Sequence, residues 1–127
     1  MGEKQGKKIL LIDDDLFIRD LYHEVLEQGG YVVETAADGK AGLEKIQAGG
    51  FDLILLDIMM PQLDGIGILS ELEINPPKQK NGPIVLLTNL AHDPVVKDAL
   101  KKGAHDCFIK ADMNPDEFLS KVHALTK

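Results

Sequence analysis

The stretch "ILLIDDDLFIR", Ile9–Arg19, runs four apolar residues straight into three aspartates before apolar residues resume. A short apolar run bounded by charge reads as a buried strand. Three carboxylates at its end repel one another, so the chain there either turns or holds a cation. Beyond them Ile18, Leu21, Tyr22, Val25 and Leu26 recur at helical spacing, and Gly29 and Gly30 supply a stop. A buried strand feeding directly into a helix is the repeating unit of a parallel sheet.

The same alternation continues along the chain. "YVVETA" is a β-branched strand, and "DGKAGLEKIQAGG" a short helix capped by Asp38. "FDLILLD" is almost wholly apolar, as a strand covered on both faces must be. "DGIGILSELEIN" is a third helix, followed by the turn-rich "PPKQKNG". "PIVLLTN" is a fourth strand. "HDPVVKDALKKGA" places Asp93 as cap and Pro94 at the first helical position. "HDCFIK" is a fifth strand, and "NPDEFLSKVHALT" repeats the device with Asn114 and Pro115. Five strand–helix units predict an α/β fold: a doubly wound, flavodoxin-like, five-stranded parallel sheet in the order 2-1-3-4-5, with helices on both faces. Residues 1–7 read as a disordered polar tail and 8–127 as one domain, with nothing beyond the fifth helix to form an output domain.

Composition narrows the function. The 127 residues suit a single core. A net charge of -7 argues against nucleic acid as a direct partner, because phosphate backbones need a basic face. The lone Cys107 allows no internal disulfide, and no cysteine–histidine cluster offers a zinc site. No stretch is long and apolar enough for a signal-peptide core or a membrane span, so a cytoplasmic protein without membrane contact is expected.

In a parallel sheet of this kind ligands bind beyond the carboxyl ends of the strands, near the switch in strand order. Asp13, Asp14 and Asp15 follow strand one, Asp57 strand three, Thr88 strand four and Lys110 strand five. With strands one and three adjacent, at least three carboxylates, a hydroxyl and an ammonium gather at one crevice. Lys110 offsets only one negative charge. An oxygen-only donor set with room for water suits Mg2+, and Mg2+ recruits phosphate. Thr88 can donate to one phosphoryl oxygen and Lys110 can bring its charge to another. A remaining carboxylate is then a nucleophile able to form an acyl phosphate.

From Lys8 to about Thr126 the chain resembles the receiver domains of bacterial two-component response regulators, in particular the single-domain chemotaxis type. The resemblance rests on Asp13-Asp14, "LLDIMMPQLDG" around Asp57, "LLT" at Thr88 and "FIK" at Lys110. It implies that Asp57 is the phosphoacceptor and that Asp13, Asp14, Asp57 and the Met59 backbone carbonyl hold Mg2+; Asp15 reads as the start of the first helix. The resemblance also implies a histidine kinase or histidine phosphotransfer protein as donor and a downstream protein partner. Catalysis is then limited to the domain's own phosphoryl transfer and dephosphorylation.

Two other functions share parts of this pattern. Haloacid-dehalogenase-type hydrolases need a D-x-D pair, which Asp13 and Asp15 mimic, but Phe17 stands where Thr or Val is expected and the late acidic pair is missing. Flavodoxin-like flavin binders need a Ser/Thr-rich loop where this chain has three aspartates. Three local expectations follow from departures from the receiver pattern. Cys107 takes the place three residues before the lysine where receivers commonly carry a gating aromatic. Phe108, one residue later, then points to the opposite face as a core residue. Lys110-Ala111 replaces the usual Lys-Pro, and a trans bond is expected. Leu16 and Phe17 read as core or helix-start residues. A docking patch for the donor's four-helix bundle, which the resemblance places near this helix, is the lesser alternative. The four histidines read as surface residues.

Overall fold

Alternation along five short strands decides which helices cover which face of the sheet. The computed structural model describes residues 7–58, 60, 62–89, 94–110 and 113–126. The chain alternates β1 (Lys8–Ile12), α1 (Leu16–Gln28), β2 (Val32–Ala36), α2 (Gly39–Ala48), β3 (Leu53–Asp57), α3 (Gly65–Ile74), β4 (Ile84–Thr88), α4 (Pro94–Lys101), β5 (Asp106–Ile109) and α5 (Pro115–Leu125). All pairings are parallel and the strand order is β2-β1-β3-β4-β5, as the sequence predicts.

Ile9, Leu11, Leu53, Leu55, Val85, Leu87 and Phe108 pack with Tyr22, Val25 and Leu26 of α1 and with Phe118 and Val122 of α5. Their neighbours Leu10, Ile12, Ile54, Leu56 and Leu86 point the other way, against Ile46 of α2, Ile68 of α3 and Val96 of α4. A period of two sends consecutive side chains to opposite faces. Every residue of β3, the middle strand, is buried. That explains why its sequence is apolar without interruption until Asp57.

Helix starts are set by side chains that satisfy free amide groups. Asp15 accepts from the amides of Phe17 and Ile18, Asp38 from Ala41, and Asp64 from Gly67. Asn114 and Glu117 form a reciprocal capping box with Pro115 at the first turn. The Asp93 cap expected for α4 lies outside the described residues, as do residues 1–6 of the expected tail. The Lys7 carbonyl accepts from the Val32 amide at 3.0 Å.

Two expectations change. His123 is not simply a surface residue: it is half-buried, with its Nδ1 hydrogen-bonded to the Tyr31 hydroxyl. Tyr31 also hydrogen-bonds Thr126 at 2.8 Å, which ties the end of α5 to the start of β2. Leu16 and Phe17 do begin α1, but they are not core: Phe17 is 84% exposed and Leu16 55%. Ile18, Tyr22, Val25 and Leu26 occupy the inward side of α1, and Phe17 and Leu21, four residues apart, share another.

Phe118 joins the two helices of one face, with its ring stacked on Tyr22 at 4.5 Å between centroids. Phe118→Ala is expected to lower the free energy of unfolding by about 3–5 kcal/mol in urea titration, with the slope of the transition kept. A loss under about 1 kcal/mol, the size of an ordinary surface substitution, would contradict this packing.

Candidate functional site

β1 and β3 are neighbours, and the strand order reverses between them: β2 lies to one side of β1, while β4 and β5 lie beyond β3. Their carboxyl ends therefore open on the crevice where doubly wound sheets bind ligands. Asp57 is the last residue of β3, and Asp13 follows β1, with its amide extending the ladder to the Ala36 carbonyl at 3.2 Å. Asp57 shares the α1/α5 side with Leu53 and Leu55 by strand alternation. Lys110 follows directly on β5, and its ammonium reaches both carboxylates.

One carboxylate atom from each of Asp13, Asp14 and Asp57 lies within 4.8 Å of the others. Asp13 is fully buried, Asp57 nearly so, and Asp14 is exposed. Lys110 Nζ donates to Asp13 Oδ2 at 2.9 Å and stands 3.6 Å from Asp57 Oδ1. Burial disfavours the Lys110 ammonium, but the Asp13 hydrogen bond and the charges of Asp13 and Asp57 outweigh it and hold its pKa above the ordinary 10.5. The ammonium is thus charged throughout the neutral range. Its stabilising contribution is complete below the ordinary lysine value and is lost only as pH rises through the raised one.

The second Asp13 oxygen accepts from the Asp15 amide at 2.9 Å, which turns the chain out of β1. Asp15 then caps α1, so only two of the three consecutive aspartates face the crevice. Thr88 ends β4 almost fully buried, one step beyond the Leu87 that pairs with Asp57. Met59, the expected carbonyl ligand, and Ala111, on which the expected trans bond depends, lie outside the described residues.

Three carboxylates beside one ammonium leave an excess of negative charge, and all the donors are oxygen. That donor set fits a hard divalent cation. It does not fit a flavin phosphate, which the aspartates would repel. Phe108 is buried on the α1/α5 side, while Cys107 is half-buried against the α2–α4 core. The expected reversal of the two side chains is therefore present.

Arg19 was not singled out from sequence. Its Nη1 donates to the Asp13 backbone carbonyl at 2.9 Å and braces the loop after β1. The signal was positional: Arg19 stands four residues after the Asp15 cap, one helical turn into α1, on a side from which it can reach back. Tyr22 also approaches the site. Burial pushes its phenol pKa up, with Lys110 pulling it down and Asp13 adding to the rise.

Comparison with known proteins agrees with this geometry. The chain is 37% identical over 125 residues to the probable transcriptional regulator ycf27 of Cyanophora paradoxa, covering 98% of this chain and 50% of that protein. It is 37% identical over 124 residues to the chemotaxis protein CheY of Treponema pallidum, covering 94% of this chain and 83% of that one. The receiver domain of the Francisella response regulator 1452 superposes with a TM-score of 0.81 at 31% identity, over 95% of this chain and 97% of that one. The chain spans about half the length of several of the curated relatives it matches, ycf27 among them. Residues 9–123 match the family model of the response regulator receiver domain, and the chain belongs to that family.

Proposed function

We propose that this chain receives a phosphoryl group on Asp57 and passes the signal on through a changed surface. The observation that carries this is the convergence of Asp13, Asp14 and Asp57 within 4.8 Å beside the Lys110 ammonium. A carboxylate placed there at the end of an apolar strand is costly to bury unless it is used.

The donor is a phosphohistidine of a histidine kinase or a histidine phosphotransfer protein, as membership of the family implies. An Asp57 carboxylate oxygen attacks phosphorus, the P–N bond breaks, and the imidazole departs with the electron pair and takes up a proton. Mg2+, held by Asp13, Asp14, Asp57 and the Met59 carbonyl, would neutralise charge on the carboxylates and the phosphoryl oxygens. Lys110 exchanges its bond to Asp13 for one to a phosphoryl oxygen, and the Thr88 hydroxyl donates to another. Water later cleaves the acyl phosphate and restores the carboxylate. The chain turns over only its own phosphoryl group and is not an enzyme toward an outside substrate.

Leu16, Phe17 and Leu21 support the donor assignment: they expose apolar surface on α1 beside the site, where the family places the donor's helices. A protein is the favoured downstream partner, since a net charge of -7 disfavours nucleic acid. No helix among the described residues is long and apolar enough to cross a membrane, which fits the proposed cytoplasmic location. With Cys107 in the gating place and Phe108 in the core, the surface change is carried by Thr88 and the loop after it.

Acetyl phosphate with Mg2+ is expected to add one phosphoryl group to the chain, read by intact-mass spectrometry, and Asp57→Asn is expected to abolish the addition. Undiminished Mg2+-dependent labelling of that variant would overturn the assignment. Lys110→Met leaves the buried Asp13 without its cation. It is expected to lower the free energy of unfolding at neutral pH by roughly 3 kcal/mol and to slow labelling by roughly 100-fold. Unchanged stability and rate together would remove Lys110 from the site.

A further inference from the structure

A cavity of about 540 Å3 opens at the end of the sheet away from the aspartates. It is bounded by the last turn of α3, the loop into β4 and the turn between α4 and β5. Its size falls within the roughly 300–1,000 Å3 of small-molecule sites. Ile84, which begins β4, lines it, whereas Thr88 at the other end of that strand belongs to the phosphoacceptor crevice. Filling the cavity therefore leaves the crevice open.

The floor is apolar. Ile46 and Leu69 are buried there, and Leu72 and Ile84 are half-buried around them. One wall is fixed in advance. In the loop between α3 and β4 the Lys78 amide donates to the Gln47 carbonyl at 2.8 Å, and the Gly82 amide to the Phe51 carbonyl at 2.7 Å. Asn81 accepts from the Phe51 amide and donates to the Ile46 carbonyl, each at 3.0 Å. A Cβ at Gly82 would lie 1.9 Å from the Asp52 carbonyl oxygen, so the loop is pressed against the start of β3. A wall held this way needs little ordering when a ligand enters.

The rim carries Lys80 and Lys102 against the single Glu73. Neither lysine makes an ion pair with any described residue. In a chain of net charge -7, an apolar cavity edged by an excess positive charge is the reverse of the general trend. We propose that this cavity binds a small amphipathic monoanion, an aliphatic chain or ring bearing one carboxylate. The apolar body rests on Ile46, Leu69, Leu72 and Ile84, and the carboxylate meets Lys80 and Lys102. Glu73 opposes a second negative charge, which selects against phosphate-rich ligands.

The test is a titration of the isotopically labelled full chain with octanoate, 1-octanol and inorganic phosphate, followed by amide chemical shifts. Saturable shifts at Leu72, Ile84 and Gly103 are expected with octanoate. The double variant Lys80→Gln/Lys102→Gln should weaken octanoate roughly tenfold or more and leave 1-octanol unchanged. Leu72→Gln should weaken both. Absence of saturable shifts around the cavity, octanoate affinity equal in the double variant, or the same shifts with inorganic phosphate would each overturn the proposal. So would octanoate shifts confined to Leu16, Phe17 and Leu21.

Discussion

Two buried carboxylates, Asp13 and Asp57, share one ammonium, that of Lys110, at the carboxyl edge of the sheet. Two like charges about 4 Å apart repel by roughly 4 kcal/mol at an effective dielectric near 20. The fold must therefore supply enough rigidity to hold them together. It does so by placing β1 and β3 side by side, each wholly buried beyond its first residue, so that neither can slide to relieve the strain. The Asp15 cap and the Arg19 guanidinium fix the loop after β1 from the helix side. Lys110 is brought in from the end of β5, two strands beyond β3 in the sheet.

Much of this was legible in the residues. Apolar runs ending in aspartate named β1 and β3, and the Asp38 cap and the Asn114–Pro115 pair named two helix starts. Polar residues at strand ends then met at one crevice because a parallel sheet leaves them nowhere else to meet. The cluster was readable for the same reason that it is costly: aspartate at the end of "LILL" has no cheap structural use. What was not legible concerns exposure. Leu16, Phe17 and Leu21 are as apolar as the core, and apolar identity alone does not say which side of a helix faces solvent. Nor did sequence place Arg19 on the Asp13 carbonyl or His123 on Tyr31, since both contacts depend on backbone geometry between distant or turn-separated residues.

The same period of two that builds the core also shapes the path from site to surface. Cys107 and Phe108 are consecutive, so one must face α2–α4 and the other α1 and α5. The aromatic ring went to the core, where the Lys121 ammonium lies 5.4 Å over it. A small thiol therefore stands on the face where a ring would otherwise swing. Burial, with the charge of Asp106, pushes the Cys107 pKa up, which keeps it a neutral, poorly reactive group there.

The carboxylate cluster carries an excess of negative charge that a divalent cation would offset. The most direct measurement is the free energy of unfolding in urea as MgCl2 is raised, against NaCl at matched ionic strength, for the wild-type chain and for Asp57→Asn. Mg2+ is expected to stabilise the wild type well beyond NaCl, with a gain that grows as the logarithm of its concentration once above the dissociation constant. Asp57→Asn is expected to be more stable than wild type without Mg2+ and to gain less from it. Equal stabilisation by the two salts, or a metal-free Asp57→Asn less stable than wild type, would contradict this role of the cluster.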